Sequence, residues 1–222
     1  MKAIYKLQLI AALLFILHGS SGAQQKPPFY DDVQAIKGYD KVYSPPQHPI
    51  LFIGSSSIRL WVDFAKTFNK YVVLNRGIGG AVTNDTDRYL EDLVFPYQPK
   101  QVVIYVGEND VIKANGGAEI FEDFKKLYTH LRTGLPNTPV IYIAIKGSPS
   151  RAEHLPKVVE ANALIKTYIE TADNIVFLDV YRPMLTKKGK MRPELFKEDM
   201  LHMNADGYKI WNKLLIPHLL KD

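Results

Sequence analysis

The sequence predicts an α/β domain in which a parallel sheet of five strands lies between two layers of helices. Three observations carry this. Five short runs of 5 to 6 residues are almost continuously apolar, the segments between them have helical spacing, and the alternation persists to the end of the chain. A chain of 222 residues that is 46% hydrophobic and 23% charged can bury one substantial core, so a single domain is expected.

The apolar runs cover residues 49–54, 71–75, 101–106, 140–145 and 175–180. Their near-continuous apolar character suits strands buried on both faces of a parallel sheet. After the first run, Leu60, Trp61, Phe64 and Phe68 predict a helix. Ile120, Phe124, Leu127 and Leu131 fall on one helical face, as do Val158, Ala161, Ile165 and Tyr168. Tyr208, Trp211, Leu215 and Leu219 do the same in a terminal helix over 204–220. Right-handed crossovers would place the helices on both faces of the sheet. Ligands then bind beyond the carboxyl ends of the strands.

Residues 1–23 have a different character. Lys2 and Lys6 precede an apolar run at 7–17, and Ser21 and Ala23 occupy the small-residue positions that a signal peptidase reads. The run is shorter than the roughly 20 residues of a membrane span. A secretory signal peptide cleaved after Ala23 is expected, hence a secreted or periplasmic protein without stable membrane insertion; an uncleaved anchor is the alternative. Residues 24–48 carry Pro27, Pro28, Gly38, Pro45 and Pro46, and read as a leader with no regular element ahead of a domain at 49–222.

The absence of cysteine excludes a lipid-anchored cysteine, disulfides, thiolate metal sites and a cysteine nucleophile. Losing Lys2 and Lys6 with the signal peptide lowers the formal charge from +5 to +3, which is weakly basic. Lys187, Lys188 and Lys190 around Gly189 read as a solvated turn, so no nucleic-acid partner is expected.

Chemistry should follow the apolar runs, and four segments do. The first run leads into Gly54-Ser55-Ser56-Ser57, where a serine would stand at a helix N-terminus that favours negative charge. Serine is equally a preferred N-cap. The second ends in Asn75-Arg76-Gly77-Ile78-Gly79-Gly80, which lets backbone amides approach a ligand. A dinucleotide loop would require glycine where Val82 stands, so a flexible turn is the other reading. The third ends in Gly107-Glu108-Asn109-Asp110, whose asparagine is either an amide donor or part of an ordinary turn. The last is Asp199-Met200-Leu201-His202, where a carboxylate three residues before an imidazole can fix its tautomer. A solvated pair is the alternative.

Taken together, the order and placement of these blocks resemble the SGNH hydrolases, also called the GDSL esterase and lipase family, over roughly residues 49–215. The resemblance implies a single-domain, flavodoxin-like three-layer α/β/α sandwich. It implies Ser56 as nucleophile, Asp199 and His202 as the rest of a triad, and an oxyanion hole built from Gly80, Asn109 and the Ser56 N–H. Two positions depart from the family pattern: Ser55 replaces an acid before the nucleophile, and Ala81 replaces an acid after the glycine. The serine run also leaves Ser55 and Ser57 as nucleophiles in a shifted register. The α/β-hydrolase elbow G-x-S-x-G is excluded by Ile58.

The expected activity is hydrolysis of carboxylic esters, small-molecule or polysaccharide, with acetylated carbohydrates ahead of lysophospholipids or thioesters. No metal or cofactor is required. A non-catalytic carbohydrate-binding module on the same fold is the reading from another class. Trp61 and Tyr105 serve either a sugar-binding surface or the core. The residues that bind substrate and the oligomeric state are left open.

Overall fold

The computed structural model describes residues 25–221, so the expected signal peptide lies outside the described residues. The chain runs α1 (Tyr30–Tyr43), β1 (Ile50–Gly54), α2 (Ser56–Arg59), α3 (Phe64–Thr67), β2 (Val73–Gly77), α4 (Thr83–Arg88) and α5 (Leu90–Leu93). It continues through β3 (Gln101–Tyr105), α6 (Gly117–Gly134), β4 (Val140–Ile143), α7 (Leu155–Ile169), β5 (Ile175–Leu178) and α8 (Ala205–Leu215). All strand pairs are parallel, in the order β2-β1-β3-β4-β5. This is the flavodoxin-like order, whose switch point lies between β1 and β3.

Alternation along the strands divides the core into two layers. Leu51, Ile53, Val102, Ile104, Val140 and Tyr142 point to one face, where they meet Val33 of α1, Leu90 and Leu93 of α5, Phe124 and Leu127 of α6 and Ile165 of α7. Ile50, Phe52, Val103, Tyr105, Ile141 and Ile143 point to the other, against Ile58 of α2 and Tyr208, Trp211 and Leu215 of α8. Every residue of β1 and β3 is buried. The edge strands differ from the expectation of burial on both faces. All of β2 is only half-buried, and Val176 of β5 is exposed.

Three further differences have physical causes. The helix expected through Phe68 breaks after Arg59, and Asp63 takes a left-handed conformation at φ 53° before α3. The break lets Trp61, Phe64 and Phe68 gather edge-on or tilted around Phe52. Trp61 and Tyr105 are both buried, which removes them as a sugar-binding surface. In the terminal helix, the Asn204 side chain caps the N–H groups of Asp206 and Gly207, and α8 tightens into a 3₁₀ turn containing Pro217. The leader, finally, contains a helix. Asp40 of α1 accepts hydrogen bonds from Arg76 Nη2 at 2.5 Å and from the Tyr97 hydroxyl, and Val33 is fully buried. These contacts are tertiary, and they override the local cost of Gly38 inside a helix.

Candidate active site

The C-terminal ends of β1, β2 and β3 converge on one cleft of about 440 Å³. Ser56, Gly79, Gly80, Asn109 and His202 line it, with Leu60, Leu201, Arg59 and Arg151.

Ser56 opens α2 directly beyond β1. Gly54 sits in register with Gly77 on one side and Tyr105 on the other, at φ 133°. A Cβ at Gly54 would lie 1.9 Å from the Tyr105 carbonyl oxygen, so only glycine allows the turn. The Ser55 N–H donates to that carbonyl at 2.9 Å and locks the turn to the sheet. Orientation separates the three serines of the run. Ser55 and Ser57 are buried with hydroxyls that meet no partner among the described residues, whereas the Ser56 hydroxyl lies 3.0 Å from His202 Nε2.

His202 Nδ1 lies 2.6 Å from Asp199 Oδ2. An ionised carboxylate only accepts hydrogen bonds, so Nδ1 carries the proton and Nε2 is left to accept from Ser56. Asp199 Oδ1 also accepts the N–H groups of Leu201 and His202, each at 2.9 Å. The hydrogen bond from the His202 side chain, helped by these backbone N–H groups, holds the Asp199 carboxyl well below the ordinary carboxylate range. Met200 takes a left-handed φ of 53°, which closes the short loop.

Gly80, at φ 87°, turns the chain beyond β2, and a Cβ there would meet only the Phe29 ring at 3.8 Å. Asn109 is held at both ends of its carboxamide. Nδ2 donates to the Ala81 carbonyl at 2.9 Å, and Oδ1 accepts from Arg151 Nη2 at 2.9 Å. The second Nδ2 hydrogen remains available to a ligand. Asn75 joins β2 to the nucleophile turn, donating to the Ile58 carbonyl at 2.8 Å.

Beneath the cleft lies a polar cluster for which the motifs gave no signal. Lys146 and Glu108 form a buried ion pair. Ser148 and Tyr105 donate to the same carboxylate, while Lys146 donates a further hydrogen bond to the Leu201 carbonyl at 2.8 Å. Burial lowers the Lys146 pKa, opposed by the Glu108 charge. Ser150 supports the neighbouring residue, with its N–H 3.1 Å and hydroxyl 3.0 Å from the Met200 carbonyl. Arg151 also donates to the Glu108 carbonyl. Sequence reading placed Glu108 inside a block but gave it no role, and missed Arg59, Lys146, Ser148, Ser150 and Arg151 altogether.

The model of the GDSL-like lipase/acylhydrolase family matches residues 54–210. The chain belongs to this family. That makes it a carboxylic ester hydrolase, in place of the binding-module reading. No curated protein sequence matches the chain. Among solved structures it is similar to a GDSL-like lipase from Bacteroides thetaiotaomicron, at 23% identity and TM-score 0.72 over 84% of this chain and 96% of that one. It is also similar to a carbohydrate esterase family 3 protein from Talaromyces cellulolyticus, at 16% identity and TM-score 0.60 over 76% of this chain and 94% of that one. An acetyl esterase mutant with an acetate ion matches at 15% identity and TM-score 0.61, over 76% and 94%. At these identities the three structures show the shared fold.

Proposed function

We propose that the protein is a secreted serine esterase that removes short acyl groups, acetyl foremost, from carbohydrate esters. The observation that carries the serine chemistry is the chain of contacts from Asp199 through His202 to the Ser56 hydroxyl, at 2.6 and 3.0 Å. Ser56 Oγ attacks the ester carbonyl carbon as His202 Nε2 takes its proton. The tetrahedral oxyanion is met by the N–H groups of Ser56 and Gly80 and by Asn109 Nδ2. Collapse breaks the bond to the alcohol oxygen, which leaves with the proton from His202. Water then gives a proton to His202, attacks the acyl-Ser56 carbonyl and releases the acid, and the proton returns to Ser56.

The size and lining of the cleft favour a small acyl group. Among the described residues, only Leu60 and Leu201 bring large apolar side chains to it, whereas an extended acyl chain needs a longer apolar wall. The names of the carbohydrate esterase and acetyl esterase neighbours point the same way. Export is supported by the charged, apolar and small-residue order of residues 1–23.

The test is a series of p-nitrophenyl esters of increasing chain length, followed by acetylated polysaccharides. Preference for acetyl is expected, and a preference for long chains would return the lysophospholipase reading. Ser56→Ala is expected to reduce kcat by roughly 10⁶-fold without loss of fold. A phosphonate is expected to label Ser56; label on Ser55 or Ser57 would overturn the assignment of the nucleophile.

A further inference from the structure

The charge around the cleft is one-sided. Two arginines, Arg59 and Arg151, stand with Ser56 and His202 in its lining, and no aspartate or glutamate is among the described residues that line it. Asp199, the acid of the site, is engaged by His202 Nδ1. Ester hydrolysis by serine, histidine and backbone donors needs no fixed positive charge at the mouth of the site, and while Arg151 also braces Asn109 and Glu108, Arg59 calls for a separate explanation.

Arg59 follows Ser56 by three residues and closes the same short helix α2. Its guanidinium lies over Gly79, close enough that a Cβ there would sit 3.1 Å from Nη1. This places it beside Gly80, the proposed oxyanion donor. Among the described residues it pairs with Asp32 of α1, 3.7 Å from Nη1, with both side chains about half exposed. Such a pair is weak and leaves most of the five guanidinium N–H donors free. Asp32 lies outside the segment matched by the family and is not part of the cleft lining. Arg151 spends one N–H on the Glu108 carbonyl and one on Asn109 Oδ1, and its remaining donors are left for the cleft.

We infer that Arg59, assisted by Arg151, recognises a carboxylate carried by the substrate close to its scissile ester. This rests on the esterase reading and deepens it. The planar guanidinium fork matches a carboxylate in two parallel hydrogen bonds, and the partly enclosed cleft strengthens each of them relative to open water. An O-acetylated sugar acid would satisfy both inferences, with the anion on the alcohol side. A dicarboxylic half-ester would present it on the acyl side.

Two matched pairs of esters separate these sources. Para-acetoxybenzoate and its methyl ester differ by a carboxylate on the alcohol side. The p-nitrophenyl monoester of succinate and its methyl ester differ by one on the acyl side. The readout is the ratio of kcat/KM for the anionic over the neutral member, so any general loss of activity in a variant cancels. Arg59→Gln is expected to lower the ratio about tenfold in one pair, the loss of a charge-assisted hydrogen bond, and Arg59→Lys to lower it less. In the wild-type protein, added salt is expected to depress hydrolysis of the preferred anionic ester and spare its neutral partner. That second measurement stands even if a variant fails to fold. Ratios unchanged by Arg59→Gln in both pairs, with Ser56-dependent hydrolysis of the neutral esters, would overturn the carboxylate inference and leave the esterase intact. Hydrolysis of none of the four, with no phosphonate label on Ser56, would overturn both.

Discussion

The two sides of the site are held by different means. On the nucleophile side, Ser56 follows a central strand, and backbone contacts fix it: Gly54 against Tyr105, the Ser55 N–H on the Tyr105 carbonyl, and the sheet register. On the acid-base side, residues 199–202 form a partly exposed loop. That loop hangs from side chains far away in sequence, Lys146 on the Leu201 carbonyl and Ser150 on the Met200 carbonyl. Ser56 is therefore positioned by the sheet itself, whereas His202 sits on a loop held by its own backbone turn and by two distant side chains, the buried Lys146 and the exposed Ser150. Substitutions beneath the base should be felt there first.

The largest expected effect breaks that support. Lys146→Met leaves the Glu108 carboxylate buried without its cation. Breaking a buried pair on one side costs about 3–5 kcal/mol, which lowers Tm by roughly 10 °C in a domain of this size. Lys146→Met combined with Glu108→Gln is expected to recover part of the loss, because no uncompensated charge remains. Thermal unfolding of the three proteins checks this. An unchanged Tm in the single variant would mean that the loop does not depend on the pair.

Next comes Asn109, the proposed oxyanion donor. Asn109→Ala is expected to reduce kcat by roughly 100 to 1,000-fold, about 2.7–4 kcal/mol, with little change in KM. A fully active variant would remove Asn109 from the chemistry. Arg151 also holds Asn109 Oδ1, so with an ester that carries no carboxylate Arg151→Met is expected to lower kcat about tenfold, or roughly 1.4 kcal/mol. The discriminating readout is the double variant. If Arg151 works by orienting the carboxamide, its loss costs little once Asn109 is already alanine, and additive losses would assign it a separate role.

The same contrast explains what the sequence revealed. Buried strands read clearly because β1, β3 and β4 pack on both faces, so their apolar runs are continuous. β2 and β5 were found but assigned too much burial, since an apolar run does not say which strand lies at an edge. The four blocks holding Ser56, Gly80, Asn109, Asp199 and His202 were each weak alone, and it was their order beyond successive strands, matched to a family pattern, that singled these residues out. Lys146, Ser150 and Arg151 were illegible because their partners lie about 40 to 55 residues away and no local spacing encodes those pairs. The helix α1 was missed for the same reason. The prolines that flank it and Gly38 within it dominate the local signal, while Val33 and Asp40 are held by the distant core, Arg76 and Tyr97.

The smallest expected effect tests the exposed side of the comparison through pH. The Asp199 carboxyl is held below its ordinary range by His202 and by two backbone N–H groups, so its ionised form is favoured by the folded state. For a group whose folded pKa is depressed, the stabilisation is fully present above the unfolded value of about 3.9 and is lost as pH falls through the folded one. Its side chain is 46% exposed, and solvent screening keeps the contribution small. Asp199→Asn is therefore expected to lower Tm modestly at neutral pH, and the gap from wild type is expected to narrow as pH drops below about 4. Thermal melts of both proteins across that range give the comparison. A gap that persists or widens in acid would show that Asp199 contributes through hydrogen bonds an amide can also make, and that its charge does not hold the loop.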